Sequence, residues 1–244
     1  MENQNPDYTY QNVIQINDAD ASRKFLANVF LWMFVALGIS AAFAYAFANT
    51  SLITLLFDNN NGVVRPNGLA YICMFAPLAF VLIMSFGMNK ISYAGLAVLF
   101  VLYSAVTGIS LSFILLIYTA SSVLGVFLTA SLVFGVMAVA GYTTKTDLTK
   151  FGSLMIMGLF GIVIASVINL FLRSDSLGYI ISYIGVAVFV GLTAYDVQKL
   201  KNIGAGIQYG EASSKKMALM GGLTLYLDFI NLFLFLLRIF GRRR

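Results

Sequence analysis

From Ile91 to Thr144 the chain carries no charged residue. A helix rises about 1.5 Å per residue, so about 20 residues cross a membrane core about 30 Å thick. The uncharged run is far longer than that and must cross, turn and cross back. Its polar break at Thr119–Ser122 divides it into segments Ser92–Tyr118 and Val123–Thr143. Five more apolar runs stand at Phe25–Ala48, Gly68–Met88, Phe151–Leu172, Leu177–Leu200 and Met217–Phe240. They are continuous blocks rather than alternating segments of about ten residues, which favours helices over a barrel. Composition agrees. The chain is 60% hydrophobic and 10% charged, where a soluble domain has about 45–50% apolar and about 25% charged residues. The expected architecture is an all-α integral membrane protein of seven transmembrane helices. Residues 23–244 form one domain, and residues 1–22 are a polar arm expected to be flexible.

Several classes drop out on composition. The arm is polar and acidic, so no cleavable signal is visible. One cysteine, Cys73, excludes an intrachain disulfide. There is no basic face with interleaved aromatics outside the apolar segments, so nucleic acid is not an expected partner despite the net charge of +5. No segment holds an internal lysine for a retinal Schiff base. The chain has no histidine, so pH sensing near neutrality would fall to carboxylates.

Lysines and arginines set the orientation. With a cytoplasmic N-terminus and seven spans, Arg23, Lys24, Lys90, Lys145, Lys150, Lys199, Lys201, Lys215 and Lys216 lie inside. Only Arg65 and Arg173 lie in outer links. The tail, with Arg238, Arg242, Arg243 and Arg244, would then be outside, against the rule. A re-entrant last segment would return it to the inside. The full span is the reading taken, because backbone looping at lipid depth needs protein cover. Small residues at Gly38, Ala42 and Ala46 suggest a close-packing face on the first segment. Pro77 suggests a kink in the second. Tyr103, Thr107 and Ser110 give the third a mild polar face.

Two acids fall inside apolar segments: Asp196 and Asp228, on consecutive helices. A carboxylate at the depth of Asp228 costs about 2.5–3.5 kcal/mol on insertion scales, so it needs a partner and usually has a role. Gly221, Thr224, Asp228 and Asn231 fall on one helical face. The last segment thus reads as an apolar rod with a polar stripe around which the others pack. Thr193 shares a face with Asp196. Thr224 and Asn231 are expected to support Asp228 through interhelical hydrogen bonds. Two carboxylates in contact resist ionising together and titrate as a unit. Such a pair can hold a proton or trade it for a hard cation bound by oxygen, which makes Asp196 and Asp228 candidate transient calcium ligands.

The stretches GLTAYDVQKLK (191–201), LTLYLDFINLFLFLL (223–237) and YTTKTDLTKFG (142–152) resemble three blocks of the Bax inhibitor family, also called the transmembrane Bax inhibitor motif family. Their order and spacing match along residues 20–240. The resemblance implies a bacterial member with the last of seven helices central and wrapped by the other six. It implies a pH-sensitive calcium leak gated by an aspartate pair, at positions matched by Asp196 and Asp228. Calcium is then the transported ion, protons the signal, and no cofactor is implied. Tyr142 and Lys145 become a candidate cytoplasmic gate. Segment 2 has no internal arginine to hold the pair closed, and Lys90 is the nearest base.

The expected function is therefore a pH-sensitive cation leak channel or exchanger, not an enzyme. The alternative is a membrane protein that regulates a partner complex, such as a quality-control protease or a cell-death pathway, with the acidic arm as the contact. A minor alternative is an intramembrane aspartyl protease, disfavoured because Tyr226 and Leu227 stand where that motif needs glycines. The expected location is a bacterial plasma (inner) membrane, or the endoplasmic reticulum membrane in a eukaryote.

Overall fold

The computed structural model describes residues 18–60, 63–206 and 212–244. The N-terminal arm up to residue 17 and Gly210 of the last link lie outside the described residues. Seven long helices account for most of the described chain: α1 (Asp18–Asn49), α2 (Gly68–Gly87), α3 (Tyr93–Ile117), α4 (Ala120–Thr143), α5 (Thr149–Leu172), α6 (Asp175–Ala205) and α7 (Ala212–Phe240). Each is long and apolar enough to cross a membrane.

Where the helices start follows from local chemistry. Asn67, Ser92 and Ser174 sit just before α2, α3 and α6, and their side chains accept hydrogen bonds from the backbone nitrogens of Ala70, Gly95 and Leu177. The α3–α4 break falls at Tyr118–Thr119, at the leading edge of the predicted turn. α2 is a single helix that continues through Pro77.

One region differs from the sequence reading. Residues 18–22, taken as part of the arm, belong to α1. Ala21 and Ser22 are buried, and the Ser22 hydroxyl donates to the carbonyl of Lys201 at 2.7 Å. The polar link after α1 has structure of its own. A short 3-10 turn, Ser51–Leu56, leads into an antiparallel hairpin of β1 (Phe57–Asn60) and β2 (Val63–Pro66). Leu56 is fully buried there, with Ala70 and Cys73 of α2 packed in the same small cluster.

The interior belongs to α6 and α7. About half of the most apolar stretch of each is buried, 56% and 50%, against 6% for α5 and 17% for α2. α7 packs mainly against α1, α3, α4 and α6. α2 rests on α3, and α5 rests on α6. The principal neighbours of the last helix are thus four, with α2 and α5 on the outside.

The ends of α7 decide between a span and a re-entrant loop. Near its start, the Lys216 ammonium donates to the carbonyl of Met88, between α2 and α3. Beyond its end, the chain pairs with the α3–α4 turn. Thr119 donates its N–H to the Arg242 carbonyl at 3.0 Å, Arg244 donates to the Ile117 carbonyl at 2.9 Å, and Tyr118 and Arg243 form an antiparallel bridge. α7 therefore runs the full length of α3 and is a span. The lysine-rich end holds Lys90 and Lys216, so the charge rule makes it the inner end, and the tail arginines lie at the outer end.

Candidate functional site

Asp228 sits near the middle of α7 and is 5% exposed. Asp196, two to three turns before the end of α6, is partly exposed. Their side chains lie close enough to interact with each other. Among the described residues, Oδ2 of Asp228 is buried with no hydrogen-bond partner. Neither ionised carboxylate can donate to the other. A proton shared between the two groups, or a cation bridging them, would satisfy the contact.

Close helix approach builds this contact. A Cβ on Gly221 would strike Leu200 of α6, and one on Gly222 would strike the backbone and side chain of α1 at Val29 and Trp32. On the other side of α6, a Cβ on Gly141 would overlap the backbone of Ala194, two residues before Asp196. These glycines let α7 and α4 close on the turn that carries the acid. The small face predicted on α1 at Gly38, Ala42 and Ala46 is not where α1 packs. Gly38 has open space beside it and Ala42 is exposed. The buried face of α1 is Val29, Met33, Ala36, Ser40 and Ala44 instead. In lipid, small residues mark an interface only where a partner helix comes to meet them.

The supporting stripe needs a correction. Thr224 donates back to the Met220 carbonyl at 3.1 Å, and Asn231 donates back to the Leu227 carbonyl at 2.8 Å. Both bonds stay within α7, each to the carbonyl one turn earlier. Thr193 is fully buried and likewise donates to the Phe189 carbonyl of its own helix. Side chains of this kind satisfy themselves on the preceding turn when no partner is in reach. The expected interhelical bonds to Asp228 are therefore not the ones these residues make.

An interhelical bond of α7 comes from Tyr226. Its hydroxyl lies 2.8 Å from the hydroxyl of Ser40 on α1, and Ser40 also reaches the carbonyl of Ser104 on α3 at 2.7 Å. Tyr226 further meets Tyr103 edge to face at 5.5 Å. Of the polar face predicted on α3, Tyr103 and Thr107 are buried here, whereas Ser110 bonds the Cys73 carbonyl of α2. Two residues from Asp228, α1, α3 and α7 are thus tied by a buried polar network.

A second set of bonds holds the inner end. Gln198 accepts from the Leu148 N–H at 2.8 Å and donates to the Thr146 carbonyl at 2.8 Å, which fastens the α4–α5 link to α6. Lys201 donates to the Tyr142 carbonyl at 2.8 Å, with its ammonium 5.0 Å from the Tyr142 ring centre. Arg23 of α1 bonds the Tyr142 side chain. Of the candidate gate residues, Tyr142 lies within this clasp. Lys145 is exposed in the link, and its expected place is taken by Lys201 and Arg23. Sequence gave little signal for Gln198 or Lys201, because polar residues near a helix end are ordinarily solvated.

Among the described residues no group of three or more acids, cysteines or histidines could hold a metal ion. Two carboxylates supply fewer oxygens than the six to eight that calcium takes.

Comparison with known proteins places the chain. The family model described as inhibitor of apoptosis-promoting Bax1 matches residues 22–244. The inner membrane protein YbhL of Escherichia coli (strain K12) is 47% identical over 222 residues, 90% of this chain and 92% of that protein. An uncharacterized protein of Borreliella burgdorferi is 46% identical over 91% of this chain and 93% of its own length. The uncharacterized protein RP147 of Rickettsia prowazekii is 40% identical over 91% of each.

Proposed function

We propose that this chain, which belongs to the Bax inhibitor family, is a cation leak of a bacterial inner membrane, passing calcium and gated by protons at the Asp196–Asp228 pair. The single observation that carries the reading is the meeting of the two carboxylates inside the bundle, with Oδ2 of Asp228 buried and, among the described residues, unpartnered. The location rests on the name of the Escherichia coli relative and on the charge asymmetry of the two ends.

A shared proton holds α6 and α7 together at this point. When that proton leaves, two negative charges face each other in a poorly solvated site. Charges about 4 Å apart repel by about 4 kcal/mol at an effective dielectric of about 20. A few kcal/mol is enough to invert a two-state equilibrium. The separation exposes carboxylate oxygen to a calcium ion on its way through, and the pair closes again when a proton replaces it.

In the protonated arrangement the path is sealed by packing. Phe229 sits edge to face with Phe127 and Phe134 of α4, at 5.3 and 5.6 Å. The reading assigns the chain no catalysis. The regulatory alternative would work through the acidic arm, most of which lies outside the described residues.

Calcium entry into proteoliposomes tests the reading. Asp228→Asn is expected to abolish the proton response and to change entry at neutral pH by about ten-fold or more, the effect of about 1.4 kcal/mol at the gate. Entry equal to wild type in Asp228→Asn would refute the mechanism. Cleavage of a membrane-embedded peptide, lost in either aspartate variant, would instead support a protease.

A further inference from the structure

The outer end carries more arginine than the charge rule allows, and two of those arginines share a cavity. It measures about 520 Å³ and is lined by Ser166, Asn169, Leu170, Phe171, Arg173 and Arg238. It lies between the end of α5 and the end of α7, where both helices leave the membrane.

Its polar side chains are not spent on one another. Among the described residues, neither guanidinium has a hydrogen-bond or ion-pair partner, and no acidic side chain lines the cavity. Asn169 uses its carbonyl oxygen to accept from the Ser174 N–H at 3.0 Å, which leaves its amide nitrogen free to donate. Arg173 occupies the left-handed position after α5, with φ 51°, a place usually given to glycine. Arg238 is half-buried, and its guanidinium lies where a Cβ on Gly178 would be. Glycine at 178 thus makes room for the arginine to lie against α6. On the membrane side, Leu170 and Phe171 are 72% and 80% exposed.

We propose that this cavity binds the phosphate of an anionic phospholipid in the outer leaflet. Two planar guanidiniums, a free amide and a hydroxyl match the oxygens of a phosphate ester. Their position at the end of the spans puts them at headgroup depth. Exposed Leu170 and Phe171 continue the site with a surface for acyl chains, which a free anion would not use. The site also accounts for Arg238, an outer arginine that runs against the charge rule. It stands apart from the aspartate pair and does not depend on the cation reading.

Native mass spectrometry of the full chain in detergent tests the site. The probes are dioleoylphosphatidylglycerol, dioleoylphosphatidylcholine and inorganic phosphate. Wild type is expected to retain the anionic lipid over the zwitterionic one. The double variant R173Q/R238Q is expected to lose that retention about ten-fold or more, because two charge-assisted contacts are gone. R173Q alone, at an exposed position that leaves folding intact, is expected to lose about three-fold by the same reasoning. The tail variant R242Q/R243Q/R244Q is expected to retain the lipid as wild type does. Four results would overturn the proposal: equal retention of both lipids by wild type, undiminished retention in R173Q or the double variant, equal loss in the tail variant, or displacement of the lipid by millimolar inorganic phosphate, which would mark a free-anion site.

Discussion

Two adjacent helices, α5 and α6, show what burial means in this protein. α5 is the more apolar, yet 6% of its most apolar stretch is buried inside the protein against 56% for α6. A water-soluble fold would order them the other way. Lipid tails are as apolar as leucine, so apolar surface gains nothing by leaving lipid for protein. α6 is interior because it carries groups that lipid cannot host, among them Ser182, Thr193, Asp196 and Gln198. α5 faces outward with Leu154, Met157, Phe160, Val163 and Ile164 exposed. Hydropathy therefore shows that a helix crosses, and its polar residues show where it sits.

The sharpest test of that contrast is the same substitution on both sides of it. Gly141→Ala drives a methyl into the Ala194 backbone between α4 and α6, and it is expected to destabilise by about 3 kcal/mol. Gly161→Ala on α5 meets nothing within 4 Å and is expected to be neutral or to stabilise by up to about 1 kcal/mol through helix propensity. Reversible unfolding in mixed micelles measures both. Equal effects would break the comparison.

Next in size is Gln198→Ala, which leaves the Leu148 N–H and Thr146 carbonyl without their partner and is expected to cost about 2 kcal/mol. Hydrogen exchange at the Leu148 amide should rise with it, while the amides of α5 beyond its first turn stay protected. Tyr226→Phe removes one buried bond to Ser40 and is expected to cost about 1 kcal/mol. Its effect should vanish when Ser40 is already alanine, which a double-mutant cycle reads directly.

The smallest effect belongs to Asp147, at the exposed start of α5. It accepts from the N–H of Thr149 at 2.9 Å and from its hydroxyl at 2.6 Å. These bonds hold its carboxyl below the ordinary value of 3.8. A lowered value in the folded state means that the contribution is complete above 3.8 and fades as pH falls below it. The stability gap between wild type and Asp147→Asn should be constant from pH 5 to pH 8 and should narrow only under about pH 4. A gap that changes near neutrality would contradict this assignment.

The crossings were legible because a long apolar run has no other stable fate. Six of the helices fall within about five residues of their apolar segments, α1 starts seven residues early, and the two acids stand out by type alone. The hairpin was less legible, since Asp58, Asn59 and Asn60 read equally as a solvated link. Packing partners were hardest to see. Gly38 and Ala42 carry the right spacing but face open space or lie exposed, whereas Ser40, in the same stretch, is the residue that α3 and α7 reach. Thr224 and Asn231 share the face of Asp228, yet each turns back to its own helix, because distances between helices are not written in the spacing along one. Tyr226 gave no sign of its role, as tyrosine is common in membrane helices for reasons of packing alone.

The central claim is that Asp196 and Asp228 act as one titrating unit. It is tested most directly by calcium entry into proteoliposomes, followed from acid to alkaline pH for wild type, Asp196→Asn, Asp228→Asn and the double variant. The account predicts entry that rises with pH in wild type, a flat profile in each single variant, and no further change when the two are combined. A wild-type pH profile preserved in either variant, or two single effects that simply add, would contradict it.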